Sequence, residues 1–307
     1  MIFDSESNLV VGNSGWIDKG ALWTFDAANR EEKTIAIEGA KNLTLRAGDE
    51  GLFRLVHHGC PNQTVSIRRV AEPGIELASI EMANDELDFR GDLALWQCVD
   101  PTVIFNTEDR QRLVFIDAIE NKIVDLDLTW YSNENYDLGY QGLTDCMLLD
   151  PGRVIVSVQR SSDLVIINVD RNARVGTVPL ADRGGNPILM KRTPTDFLAS
   201  DYDTLCRVDV QTLKAVACHR LQEGGAGNMR QFIGDYDLGW GACVVARPFS
   251  GDVLRLEPET FKTTARAEVG GQPLQICMTS DSQVVTRDWK TGSVAVSELR
   301  PRPWWRL

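Results

Sequence analysis

With 307 residues, 43% hydrophobic and 25% charged, the chain can bury a large core, and its composition excludes a disordered or fibrous protein. A net charge of −12 at pH 7 excludes the basic footprint that a phosphate backbone requires, so nucleic acid is not expected as a partner. No apolar run approaches the roughly 20 residues of a membrane span, so no membrane association is expected either.

The N-terminal stretch Met1 to Val11 lacks a basic start followed by an apolar core, which is the pattern of a secretory signal. The seven cysteines (Cys60, Cys98, Cys146, Cys206, Cys218, Cys243 and Cys277) are scattered, with no C-x-x-C pair for zinc or redox exchange. Reduced thiols in a cytoplasm are the expectation, six of them in strands, where a free cysteine behaves as a small buried hydrophobe.

Along the chain, an apolar strand ending on a short polar or acidic residue recurs, followed by a turn and a further strand. Ser162 to Leu180 states the unit most clearly: a strand from Leu164 to Asn168, a polar turn, and a strand from Arg174 to Leu180. Aligning the strand ends gives Asp26, Arg68, Asp117, Asn168, Asp209, Glu257 and Ser297, with steps of 42, 49, 51, 41, 48 and 40 residues. A period of about 40 to 50 residues is that of a four-stranded propeller blade. The sixth unit reads as Met229–Ile233, Cys243–Arg247, Val253–Glu257 and Thr263–Glu268, innermost first, and the last strand as Trp304–Leu307, sealing the ring. Helical periodicity is nowhere sustained, and no linker interrupts the chain. The expected fold is all-β: one domain, residues 1–307, forming a seven-bladed β-propeller of four-stranded antiparallel blades.

Two turns after the acidic column are nearly identical, Asp209-Val-Gln-Thr-Leu-Lys214 and Glu257-Pro-Glu-Thr-Phe-Lys262. They resemble the D-x-x-T-G-K hairpin of the YVTN and quinoprotein-like propeller families, but without the turn glycine. The G-H…W-D pair of WD-repeat proteins is absent. The resemblance covers nearly the whole chain and implies architecture. Families with such blades include dehydrogenases, lyases and interaction platforms, so activity stays open.

Residues at the ends of the second strands should ring the mouth where propeller ligands most often sit: Asn13, His57, Asn106, Val158, Asp201, Arg247 and Arg287, with Tyr202, Asp288 and Trp289 close behind. Strand ends also meet solvated loops, which makes polar residues there ordinary surface. The functional reading is a site in which Arg247 and Arg287 bind an anion by bidentate hydrogen bonds while Tyr202 or Trp289 stacks on it. Asp201 and Asp288 are the candidate counter-charges.

His57-His58-Gly59-Cys60 is the one histidine cluster, but adjacent strand residues point to opposite faces. His219 falls on an outer strand. Tyr136-Asp-Leu-Gly-Tyr140 and Tyr236-Asp-Leu-Gly-Trp240 read as paired insertions that pack an aromatic against the next blade. Asn133, Asn135 and Asp137 have calcium-loop spacing, but Leu138 and Thr144 occupy positions that need Gly and Glu. Asp201/Asp203 and Asp125/Asp127 share a D-x-D spacing on a strand face.

No nucleotide, zinc-protease or serine-hydrolase motif is present, and no cofactor or metal is expected. Two functions follow. One is a propeller binding a protein partner or small anionic molecule at the mouth. The alternative is an enzyme (lyase, isomerase or hydrolase) acting on a small acid there with His57, Asp201, Arg247 and Arg287. The connections at 84–92, 131–142 and 222–230 are candidate covers for the mouth.

Overall fold

The computed structural model describes residues 1–13, 20–38, 42–47, 51–58, 62–83, 96–99, 102–106, 112–117, 122–127, 143–150, 152–158, 163–180, 188–191, 193, 195–221, 233–288 and 290–301. Their regular elements are all strands. The first sheet holds β1 (Ile2–Asp4), β2 (Leu9–Asn13), β3 (Ala21–Asp26) and β4 (Glu31–Ala36). The second holds β5 (Asn42–Ala47), β6 (Leu52–His58), β7 (Asn62–Arg69) and β8 (Glu76–Ala83). The third holds β9 (Trp96–Val99), β10 (Thr102–Asn106), β11 (Arg112–Asp117) and β12 (Lys122–Asp127). The fourth holds β13 (Leu143–Asp150), β14 (Arg153–Val158), β15 (Asp163–Asn168) and β16 (Ala173–Pro179). The fifth holds β17 (Ile188–Lys191), β18 (Asp196–Asp201), β19 (Thr204–Asp209) and β20 (Lys214–Arg220). The sixth holds β21 (Asp235–Gly239), β22 (Ala242–Arg247), β23 (Asp252–Leu256) and β24 (Thr263–Glu268). The last holds β25 (Pro273–Met278), β26 (Gln283–Asp288) and β27 (Val294–Glu298). A short β28 (Arg300–Pro301) adds to the outer edge of the sixth.

All strand pairs are antiparallel, and within each sheet the strands lie in chain order. Apolar clusters fill the spaces between sheets. Leu198 and Leu205 of the fifth meet Tyr236 and Val245 of the sixth, and Val244 and Val253 of the sixth meet Ile276 and Val284 of the last. Val10, Trp23 and Phe25 of the first sheet pack with Cys277 and Val285 of the last. A sheet covered on both faces needs apolar residues at successive positions, which is why the middle strands read as runs such as Ala-Cys-Val-Val-Ala instead of alternating.

The polar column at the third-strand ends has a local cause. Asp26 Oδ1 accepts from the amides of Ala28 and Asn29, Asn168 Oδ1 from Arg171, and Asp209 Oδ1 from the amide and hydroxyl of Thr212. These bonds hold the Asp26 and Asp209 carboxyls below their ordinary pKa. Each turn then closes on a residue of positive φ: Arg30, Asn172, Leu213 and Phe261 stand at 58°, 44°, 54° and 55°. The missing turn glycine is therefore replaced by ordinary residues held in the left-handed region.

Two expectations are corrected. The first strand of the sixth sheet is Asp235–Gly239, not Met229–Ile233. Tyr-Asp-Leu-Gly-Trp-Gly is thus that strand and its hairpin turn instead of an insertion. Its alternation sends Tyr236 into the seam with the fifth sheet, where the hydroxyl donates to the carbonyls of Ile188 (2.9 Å) and Leu198 (3.1 Å). Second, Cys206 and Cys218 are joined in a disulfide, where reduced thiols were expected. They face each other across β19 and β20, a closeness that a linear spacing of 12 residues does not reveal. Beyond these, Arg300–Pro301 pairs with β24, a short strand not expected from the sequence. Trp304–Leu307 lies outside the described residues.

Candidate functional site

The turns between second and third strands place the expected site residues at one end of their sheets. Arg247 ends β22, and the turn Pro248-Phe249-Ser250-Gly251 leads to Asp252. Proline suits the first turn position, and Gly251 takes φ +70°, a conformation glycine reaches without steric cost. This turn points Arg247 back at Asp252: Nε donates to Oδ1 at 2.8 Å and Nη2 to Oδ2 at 2.5 Å. Both are enclosed, at 2% and 0% exposure. Arg266 Nε reaches the same Oδ2 at 2.7 Å and its Nη2 reaches Glu268 at 2.7 Å. The arginine expected to bind an anion thus already holds a carboxylate supplied by its own hairpin.

Arg287 occupies the same position in β26. Its guanidinium carbon lies 5.3 Å from the centre of the Trp23 ring in the first sheet, and its Nε donates to the Gly292 carbonyl at 3.2 Å. Trp23 Nε1 in turn donates to Glu32 at 2.6 Å. Burial lowers the Arg287 pKa, and the Glu32 charge works against that shift. Trp23 is thus an aromatic partner of Arg287 that the sequence did not suggest, Tyr202 and Trp289 being the ones expected beside the arginines. Trp289 lies outside the described residues.

Asp201 is buried at the end of β18, and Tyr202 is half-buried with φ +53°, its carbonyl accepting from the Ile233 amide. Asp203 lies with Tyr202 in the turn before β19, so Asp201 and Asp203 do not share a strand face. The Asp203 carboxylate accepts from the Thr204 hydroxyl and pairs with Arg220 at 3.5 Å. Asp288 is the other expected counter-charge. It caps backbone, accepting from Gln272, Lys290 and Thr291. Burial works against ionisation of this carboxyl, but these bonds together hold its pKa below the ordinary value.

His57 and Asn106 lie on β6 and β10, at or next to the strand ends as expected. Cys60, the calcium-spaced residues 133–144 other than Leu143–Thr144, and all three connections expected as covers lie outside the described residues. His219 lies on β20, the outer strand, half-buried with its ring 6.5 Å from Phe261, and burial lowers its pKa.

Sequence reasoning missed Asp252, Trp23 and Glu32, the groups that meet the two arginines. The signal for Asp252 was present: a turn of four residues separates it from Arg247, which brings the two ends of a hairpin face to face. Trp23 gave no such signal, being 264 positions from Arg287 in the chain. A further missed group is Asp237 on β21. Its Oδ2 accepts from Met278 at 2.8 Å, and Asp235 does the same for Ile276 at 3.0 Å. These carboxylates satisfy amides on the free edge of β25, which would otherwise be left unpaired. Burial pushes the Asp237 pKa up to about 6.

Two aromatic residues stand out on the turns. Phe249 is 44% exposed on the turn beside Arg247, and Trp240 is 46% exposed on the opposite end of the sixth sheet with φ +46°. Among the described residues, no three His, Cys, Asp or Glu side chains converge as a metal site would require, and no helix is long and apolar enough to cross a membrane.

No family model and no curated protein matches the chain. Solved structures do. A chain of the mitotic checkpoint complex superposes with a TM-score of 0.63 at 10% identity, over 97% of this chain and 88% of that one. The Swd1 (Cps50) β-propeller domain of Myceliophteria thermophila gives 0.69 at 11% identity, over 97% and 95%. Hsv2 of Kluyvelomyces marxianus gives 0.53 at 10%, over 85% and 82%. Identities this low speak to the fold alone, and at that level the chain is a WD-repeat-like β-propeller.

Proposed function

We propose that the seven sheets are the blades of one ring spanning residues 1–307, and that the protein is a cytoplasmic interaction platform. Its protein partner docks on the face built from the turns between second and third strands. The observation that carries this reading is the state of the two arginines. Arg247 is bound bidentately by Asp252, and Arg287 lies on Trp23 with Nε on a carbonyl, so the charge expected to attract a small anion is met within the fold. Beside them Phe249 is 44% exposed on the turn, and an exposed aromatic at a turn suits the anchoring role aromatics play at protein interfaces. Asp201, Tyr202, His57 and Asn106 belong to the same set of strand ends, and Trp289, expected with them, lies outside the described residues. Propellers of similar fold occur in a multiprotein assembly, the mitotic checkpoint complex, which supports the same reading.

The test is a photo-crosslinking amino acid placed at position 249 and, as control, at Val175 on the outer strand β16. A discrete adduct from position 249 alone is expected, competed away by unmodified protein and not by its Phe249→Asp variant. Equal labelling from both positions would count against the platform.

The small-anion reading, and the enzyme reading that depends on it, are tested separately. Thermal shift with a panel of small carboxylates and phosphates is run on wild type, Arg247→Ala and Arg287→Ala. No anion-specific stabilisation is expected. Stabilisation of wild type that is lost in both variants would restore the anion site.

A further inference from the structure

Cys206 and Cys218 form the one disulfide among the described residues, and their surroundings are asymmetric. Cys206 is buried in the core cluster shared by the fourth and fifth sheets, with Met147, Leu164, Ile166 and Phe197. Cys218 lies on the outer strand β20 and is exposed. The two are direct cross-strand partners, with Cα atoms 4.1 Å apart. Cys243 and Cys277 are buried and not disulfide-bonded, and burial pushes the Cys277 thiol well above its ordinary pKa. Cys218 is therefore the one cysteine among these four that a soluble reagent can reach.

The reduced form also has a place in the structure. Both sulfurs lie 3.5 Å from the Leu180 carbonyl oxygen, where either thiol, once formed, has an acceptor without rearrangement. The strand that the bridge ties down takes part in the seam to the sixth sheet. The residue after Cys218 is His219, whose ring packs near Phe261, and Arg220 pairs with Asp203. Arg207, one residue beyond Cys206, pairs with Glu259 on the sixth sheet's hairpin.

We propose that Cys218 and Cys206 form a reversible thiol–disulfide site, with Cys218 as the reacting thiol, Cys206 as the resolving thiol, and a low-molecular-weight disulfide such as oxidised glutathione as co-reactant. Disulfides in a reducing compartment are typically of this transient kind. The Cys218 thiolate attacks one sulfur of oxidised glutathione, forming a mixed disulfide and expelling one glutathione thiolate. Cys206 then loses its proton and attacks the Cys218 sulfur. The mixed disulfide breaks, the Cys206–Cys218 bond forms, and the second glutathione thiolate leaves. The protein gives up two electrons and two protons, and oxidised glutathione becomes two molecules of reduced glutathione. Access to one sulfur only fixes this order, because exchange requires approach of the incoming group to the attacked centre. Closing the bridge fixes the end of β20 against β19 and so holds His219 at the seam.

The experiment uses the full chain, reduced and freed of reductant, then incubated with oxidised glutathione, acid-quenched, alkylated and mapped by peptide mass spectrometry. In wild type, the alkyl labels on Cys206 and Cys218 are lost together and a cross-linked peptide appears. In Cys206→Ala, a glutathione adduct accumulates on Cys218, and in Cys218→Ala none forms on Cys206. Cys60, Cys98 and Cys146 are read from their own peptides. Hydrogen exchange of residues 214–221 is expected to slow on oxidation of wild type and to stay unchanged in Cys218→Ala. If Cys206→Ala does not fold, a quench series on wild type replaces it, with a transient adduct on Cys218 preceding the bridge. Two outcomes overturn the proposal: both thiols still fully alkylated after oxidised glutathione, or glutathione captured by Cys206 in place of Cys218.

Discussion

At the scale of single residues, buried charge and backbone conformation decide most. Arg247 and Asp252 were taken out of water together, and removing Arg247 takes the bidentate partner from a fully buried carboxylate and leaves Arg266 at its Oδ2. Arg247→Ala is expected to cost about 3–5 kcal/mol, read as a lower urea midpoint, whereas a paired apolar replacement of both residues is expected to cost much less. An unchanged midpoint in Arg247→Ala would show that this pair is not buried as described. Arg30 is the opposite case, an exposed residue held at φ +58°. Arg30→Gly removes a Cβ that resists this conformation and is expected to raise stability by about 0.5–1 kcal/mol. Asp237 supplies a pH signature. Its folded pKa of about 6 lies above the ordinary 3.8, so the native state holds a proton that the unfolded chain releases. The stability from that proton is complete below about pH 4, falls as pH rises toward 6, and is absent above, with a slope of up to about 1.4 kcal/mol per pH unit. The nearby Asp235 raises this pKa and the N-terminal amine lowers it. The slope is expected to disappear in Asp237→Asn, measured as the difference between the two unfolding curves from pH 4 to 7.

At the scale of elements, the seams between sheets matter more than the ladders within them. The Tyr236 hydroxyl reaches two carbonyls of the fifth sheet from the first strand of the sixth. Tyr236→Phe keeps the ring and removes the donor, leaving those carbonyls one partner short, and is expected to cost about 1–2 kcal/mol. Denaturant unfolding of the single variant checks this, and a neutral result would mean that water takes over the bond. The motif was legible as an aromatic directed at the neighbouring unit. Its place as the first strand was not, because Asp-Leu-Gly-Trp-Gly has the composition of a loop. What makes it a strand is its ladder with β22, from Asp235 opposite Ala246 to Gly239 opposite Ala242, while its Asp235 and Asp237 carboxylates accept from amides on the β25 edge.

At the scale of the whole molecule, the first and last sheets meet through Val10, Trp23 and Phe25 on one side and Cys277 and Val285 on the other, with Arg287 over the Trp23 ring. Trp23 is 1% exposed, so Trp23→Ala should open a large void at this junction and cost about 3–5 kcal/mol. A loss below about 1 kcal/mol in guanidinium unfolding would mean that the junction does not hold the molecule together.

The sequence by itself determined the strand pattern, the repeat and the polar column, because each depends on neighbours a few residues away: apolar runs make covered strands, and short polar side chains cap the turns that follow them. The second strands lie where the aligned runs LVVGN, FRLVH, TVIFN, VIVSV, FLASD, CVVAR and QVVTR placed them. Only the tertiary structure decided what those strand ends do. Arg247 and Arg287 look equivalent in sequence, yet one is neutralised by its own hairpin and the other lies on a tryptophan from the opposite end of the chain. The pairing of Cys206 with Cys218 was hidden for the same reason. A charge or a thiol acts through whatever stands within a few ångströms of it, and in a chain folded into packed sheets that neighbour is set by strand register and sheet packing, which local patterns of residues do not encode.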